Sequence, residues 1–194
     1  MKCTSATFKP LASFGIWFLL LFVLLSPAAA QSWIELLPTG GPSDNIIPRQ
    51  PAGVAYDAAN NRLIVYFPSN LNRNGSSYEV WVLTNANGLG GIPNWNQLAP
   101  GGTLVNHPNN INFGHSAVYD AAENRLIVYG GCDANCGSAQ SSVYVLSNAN
   151  GLGGTPVWSA SSFTNPQGRA SHSAVLDPTS NLMIAFAGHL AFFG

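Results

Sequence analysis

His115 and His172 each open the sequence His-Ser-Ala-Val, so an imidazole recurs in the same local context. Such a residue can ligate a metal, carry a proton or bond across a scaffold. Recurrence favours the scaffold role, with metal ligation as the alternative. His107 and His189 have no second histidine at His-x-x-x-His spacing. Asp57, Asp120 and Asp177 recur in the same manner, each just ahead of a turn, where a carboxylate caps backbone amides. Glycoside hydrolysis needs two carboxylates facing one bond, and this pattern nominates no such pair. The chain is therefore read as a non-enzyme, with no catalytic residue, cofactor or metal site assigned.

Cys132 and Cys136 lie close together in a loop. In an exported protein they are better suited to a small disulfide than to zinc, which would need two further soft or imidazole ligands. A bridge over so short a loop fixes its shape more than it stabilises the fold. The heptapeptide Asn-Ala-Asn-Gly-Leu-Gly-Gly occurs at Asn85–Gly91 and at Asn148–Gly154. Its glycines resemble a phosphate loop, but no helix follows to present N-terminal amides, so it is read as a turn. It also lacks the aspartates of calcium-binding glycine repeats. Asn74-Gly75-Ser76 fits the N-glycosylation pattern, and its Asn-Gly step is equally open to deamidation.

The elements that carry these residues are repeated. Val54–Tyr66 returns in the stretch around Val118–Tyr129, 63 residues downstream, the same spacing that separates Asn85 from Asn148. A third copy begins at Ser171-His172-Ser173-Ala174-Val175-Leu176-Asp177, 57 residues beyond the second. A period of this size means one supersecondary unit per repeat, each leaning on its neighbours for a core. In the central copy the spacing predicts four strands: one around Ser116 and Val118, one at Leu126–Tyr129 stopped by Gly130-Gly131, one at Val143–Leu146, and one starting at Val157-Trp158. No apolar period near 3.6 is sustained, and almost no helix is expected after Gln31.

The first thirty residues stand apart. Lys2 and Lys9 precede an apolar run from Leu11 to Leu25, and Ala28-Ala29-Ala30 offers a cleavage site, so residues 1–30 read as a secretory signal peptide. The run is shorter than the roughly 20 residues a spanning helix needs, and no membrane association is expected after cleavage. Secreted or extracytoplasmic localisation follows. Both lysines leave with the signal, and five arginines remain against eight acids, which excludes a basic surface for nucleic acid.

A polar residue followed by a His-Ser-Ala-Val strand, an apolar strand ending in Gly130-Gly131, then Tyr144 and Trp158 at wide spacing together resemble the kelch motif. That motif forms the blade of kelch-repeat β-propellers and of the central domain of galactose oxidase. Trp81 stands in place of the tyrosine in the first copy, which keeps Trp95 but has Phe67-Pro68 for the glycine pair; the third copy has Ala187-Gly188. Arg49 and Arg169 match the arginine that usually leads the first strand, and Asn112 replaces it in the central copy. The resemblance implies an all-β protein of four-stranded antiparallel blades. It implies a structural role for Gly130, Gly131, Trp81, Trp95, Tyr144 and Trp158, the aromatics filling space between blades while bonding a backbone carbonyl. The copper site of galactose oxidase needs tyrosine and histidine ligands and a cysteine cross-linked to tyrosine, and no matching constellation is present.

On this reading the chain holds an orphan strand at 31–37, blades at 49–98 and 112–160, and an incomplete blade at 169–194. A propeller needs at least four blades, so the expectation is a partial propeller of about two and a half. Truncation from a longer relative, assembly of several chains, or a short open array would each account for it. Open blade edges favour self-association.

In kelch-type propellers the loops between the second and third strands and those between blades gather on one face. Here these are Pro68–Ser77, Gly101–Asn112 and Cys132–Ser141, where the copies also differ most. Asn70, Asn72, Arg73, Asn110, Asp133 and Asn135 are the candidate ligand-binding residues. The expected function is an exported, non-catalytic module binding an extracellular protein or a glycan; the alternative is a fragment of a larger secreted propeller enzyme resembling galactose oxidase.

Overall fold

Runs of β-branched and aromatic residues broken by Asn-Gly turns have little option but to form short strands. The computed structural model describes residues 33–41, 53–67, 79–101, 113–132, 137–161 and 166–190. The chain divides into two units, Met1–Glu35 and Leu36–Gly194, and the strands all belong to the second. Among the described residues there is no helix, as the sequence leads one to expect.

Strands β2 (Gly53–Asp57), β3 (Arg62–Phe67), β4 (Glu79–Thr84) and β5 (Asn94–Leu98) form an antiparallel meander, with β1 (Thr39–Gly40) added in parallel to β5. A second meander holds β6 (Phe113–Asp120), β7 (Arg125–Cys132), β8 (Val143–Ser147) and β9 (Val157–Ala160). The third sheet is a hairpin of β10 (Ser173–Asp177) and β11 (Leu182–Phe186).

The registers repeat with the sequence. Val65 pairs with Trp81 and Leu83 with Trp95 in the first sheet; Val128 pairs with Tyr144 and Leu146 with Trp158 in the second. Asp57 faces Arg62, Asp120 faces Arg125, and Asp177 faces Leu182 across the three hairpins. Asn61, Asn124 and Asn181 close those hairpins with φ of 52°, 48° and 54°. Asparagine is among the few residues that adopt this left-handed region without large strain.

The heptapeptide turns are clasped in the same way twice. Asn85 and Asn148 (both φ 49°) fold back so that their side-chain amides donate to the carbonyls of Ile92 and Thr155, each at 3.2 Å. The side chains of Asn61 and Asn124 then bridge from the hairpin to the turn. They donate to the Leu89 carbonyl (3.2 Å) and Leu152 carbonyl (2.9 Å), and accept from the amides of Asn87 and Asn150. This is a turn held by side-chain amides.

The core lies between the first two sheets. Ile64, Tyr66, Val80 and Val82 of the first face Leu126, Val128, Leu146, Ala149 and Trp158 of the second, all buried. Burying a side chain of this size contributes roughly 1.5–3 kcal/mol. Neither meander buries both faces by itself. Strand β2 packs beside β6, and β6 beside β10, so the first strands of successive copies lie next to one another.

Two sequence expectations need correction. Gly130-Gly131 does not stop the second strand of the central copy. Strand β7 runs through both glycines to Cys132, because their positive φ (70° and 91°) keeps the chain beside β6, where His115 pairs with Gly130 and Phe113 with Cys132. Over its described part, residues 33–37, the expected leading strand is irregular. The pairing is made instead by Thr39 and Gly40, the Thr39 amide donating to the Pro93 carbonyl at 2.9 Å. Gly101 does the same for the second sheet, donating to the Pro156 carbonyl at 2.8 Å.

Candidate functional site

Each histidine singled out in the sequence sits at a junction between sheets. The His115 ring meets the Tyr66 ring edge-on at 5.3 Å, and His172 meets Tyr129 at 4.8 Å. Tyr66 and Tyr129 are equivalent, so one aromatic contact is made twice. The histidines differ in what else they reach. His172 Nε2 shares a 2.7 Å hydrogen bond with the Ser116 hydroxyl. At the equivalent position before His115 stands Gly53, which offers no hydroxyl. Its missing β-carbon is the reason the rings fit, because a Cβ there would lie 2.6 Å from that of Ala117 and 3.2 Å from His115 Nε2.

Among the described residues, neither ring nitrogen of His115 has a hydrogen-bond partner. Burial, reinforced by His172, pushes its pKa down to about 4, so the ring is neutral at physiological pH. Burial, with Arg169 nearby, lowers that of His172 as well. Both are built into packing.

The recurring aspartates are held by hydrogen bonds. Asp57 accepts from the Asn60 amide and side chain (3.2 and 2.8 Å), and across the junction from Asn150 Nδ2 (2.7 Å) and the Tyr119 hydroxyl (3.3 Å). Burial pushes its carboxyl pKa up, but the bonds from Asn150, Asn60 and Tyr119 outweigh that and hold it below the usual value. Asp120 accepts from the amides of Ala122 and Glu123 and from Arg125 Nε at 2.8 Å. Asp177 accepts from the Thr179 amide and the Ser180 hydroxyl, which lower its pKa. These are turn-capping carboxylates, and Asp57 also ties its turn to the next sheet.

The candidate binding residues Asn70, Asn72, Arg73, Asn110, Asp133 and Asn135 all lie outside the described residues, as does Cys136. Cys132 is buried and disulfide-bonded. Trp158 is buried against Tyr66, ring centroids 5.6 Å apart, and Tyr144 packs at the edge of the same core. Trp81 departs from expectation: its indole donates to the carboxylate of Glu79 at 2.7 Å, a neighbour on the same strand face, and not to a backbone carbonyl. Trp95 lies over Gly41.

Gly130 and Gly131 hold the third hairpin. The Gly131 amide donates to the Arg169 carbonyl at 2.9 Å. A Cβ on Gly130 would collide with that carbonyl and come within 2.8 Å of the His172 ring. Tyr129 donates to the Gln167 carbonyl, and the Ser171 amide to the Gly114 carbonyl at 2.7 Å.

Sequence reasoning missed one feature. A cavity of about 640 Å³ opens between the second sheet and the third hairpin, lined by Ile127, Tyr129, Val143 and Val145 on one side and Leu182, Met183 and Ala185 on the other. Arg125 and Arg169 stand at its margin. The first four are the repeat equivalents of Ile64, Tyr66, Val80 and Val82, which the second sheet buries completely. That offset of 63 was the signal available in the sequence.

No protein-family model matches the chain, and no curated protein matches it.

Proposed function

We propose that this chain is a non-catalytic binding module of kelch-like repeated sheets, exported by its leading segment, which takes an extracellular protein or a glycan on the face built by its variable loops. One observation carries the reading. The registers and turn hydrogen bonds of the first two copies coincide at an offset of 63 residues, while the segments joining β3 to β4 and β7 to β8 differ in sequence. In an alternating meander these connections leave from the end opposite the Asn-Gly turns. A scaffold reproduced this closely beside connections that vary is the arrangement of repeat proteins whose loops recognise ligands.

The capped aspartates fit the same reading, since their carboxylate oxygens already accept from turn amides. The test is capture on an array of glycans and extracellular proteins, comparing the protein with its Arg73→Ala/Asp133→Ala variant. Loss of capture in the double variant, with unfolding unchanged, supports the loop face. Equal capture by both contradicts it.

A further inference from the structure

The repeated heptapeptide places two Asn-Gly steps of identical local sequence in the fold, Asn87-Gly88 and Asn150-Gly151. Asparagine before glycine can react with its own main chain, because the glycine nitrogen has no β-carbon beside it to obstruct approach to the side-chain carbonyl carbon. The two steps sit in the same turn. Each glycine amide donates to the carbonyl three residues back, Gly88 to Asn85 at 2.9 Å and Gly151 to Asn148 at 3.0 Å. That bond has to open before either nitrogen can react, so it does not distinguish the copies.

The surroundings of the two side chains do. Asn87 is exposed, and its Oδ1 accepts twice, from the Leu89 amide at 2.8 Å and from Asn61 Nδ2 at 2.7 Å. Its own Nδ2 has no partner among the described residues. Asn150 is 3% exposed. Its Oδ1 accepts once, from the Leu152 amide at 2.9 Å, while Asn124 Nδ2 donates to the Leu152 carbonyl. Its Nδ2 donates to the Asp57 carboxylate at 2.7 Å, and its main-chain carbonyl accepts from Arg62 Nη1 at 2.9 Å.

We propose that Asn87 is a self-modification site, at which the turn converts asparagine to aspartate and isoaspartate, and that Asn150 is its protected copy. The Gly88 nitrogen loses its proton to solvent base and bonds to Asn87 Cγ. Negative charge then develops on Oδ1, where Leu89 and Asn61 already donate. The Cγ–Nδ2 bond breaks, and the nitrogen takes a proton from water and leaves as ammonia. Water opens the resulting cyclic imide at either carbonyl, giving aspartate, or isoaspartate with the main chain routed through the former side chain. One water is consumed and one ammonia released, with no oxidant and no cofactor. At Asn150 the same charge would develop beside the Asp57 carboxylate with one donor in place of two, and that carboxylate also holds the nitrogen that must depart. The product puts a negative charge at the tip between β4 and β5, and isoaspartate adds a main-chain carbon there. This inference goes beyond the loop-face reading and does not depend on it.

Purified protein is aged in warm, mildly alkaline buffer, and each Asn-Gly step is followed by site-resolved peptide mapping, with isoaspartate identified by protein-isoaspartate methyltransferase labelling. Conversion at Asn87 is expected at least tenfold faster than at Asn150. In urea, where the identical heptapeptides lose their surroundings, the two rates should converge. Asn61→Asp keeps an oxygen to accept from the Asn87 amide and removes the donor to Oδ1. It should slow Asn87 several-fold, whereas a turn merely loosened by the substitution would react faster. A smaller ratio in the folded protein overturns the proposal, as does a ratio that persists in urea, or an Asn61→Asp variant in which Asn87 reacts as fast as before or faster. The comparison of folded with urea-unfolded protein alters no residue, so it decides the outcome even where the variant fails to fold.

Discussion

The side-chain amide of Asn150 donates to the carboxylate of Asp57 at 2.7 Å, joining residues 93 apart in the chain across the junction of two sheets. Asp57 is buried, and its remaining partners are Asn60 and Tyr119. Hydrogen bonds to a charged group contribute roughly 1.5–3 kcal/mol, and removing one partner leaves the other to bear its desolvation. Asn150→Ala should therefore destabilise the protein by about 2 kcal/mol in urea unfolding. Asp57→Ala should cost a similar amount, and the double variant less than the two together, with a coupling of about 1 kcal/mol or more. Additive effects would show that the bond carries nothing.

His115 makes stability depend on pH. Its folded pKa lies at about 4 against 6.5 for the free residue, so between these values the unfolded chain binds more protons than the folded one. Stability is at its full value above 6.5 and falls as the pH drops from there towards 4. The contribution at stake is on the order of 3 kcal/mol. Asp57, whose pKa is lowered, adds a loss only below the ordinary carboxylate value, so the two effects separate along the pH axis. Replacing His115 by Phe should reduce the fall between pH 6.5 and 4.5 in chemical unfolding, leaving the share due to His172, whose pKa is also lowered, and leave the lower limb intact. A wild-type profile flat over that range would contradict the burial of a neutral imidazole at this junction.

Gly130 has φ of 70°, and a β-carbon there would meet the carbonyl of Arg169. Among the described residues other than its chain neighbours, none has an atom within 4 Å of where a β-carbon on Gly137 would stand. Gly130→Ala should cost more than about 1 kcal/mol, and Gly137→Ala close to nothing. The cost should be local. Hydrogen exchange should speed up along Ser173–Phe186, held by the Gly131 and Ser171 amides, before it does so along Arg62–Phe67. Equal protection loss in both places would mean that the third hairpin unfolds with the rest.

The turns and aspartate caps were legible in the sequence because each depends on residues close in the chain. Asn85 folds back on Ile92, and Asp120 on Ala122 and Glu123, through bonds that need no distant partner. The difference between two copies of one heptapeptide was not legible. Asn87 accepts from Asn61 at 2.7 Å, whereas its twin Asn150 donates to Asp57, because only the second copy has a preceding sheet aspartate within reach among the described residues. The glycine pair was misread for a related reason. Gly-Gly after an apolar run suggests a stop, but here the Arg169 carbonyl and the His172 ring require the absence of side chains, while pairing with β6 continues. The groove escaped notice since each of its walls reads as an ordinary strand; only comparison of Ile127 with Ile64 reveals that one is covered and the other half open.

The central claim is that consecutive copies stack face to face, each histidine set against the tyrosine of the copy before it. Nuclear Overhauser spectroscopy on side-chain-labelled protein tests this most directly. Cross-peaks are expected from the Tyr66 ring to the rings of His115 and Trp158, and from the Tyr129 ring to His172, at centroid separations of 5.3, 5.6 and 4.8 Å. Assigned rings with no cross-peak between Tyr66 and His115, or a tyrosine touching the histidine of its own sheet, would contradict the stacking.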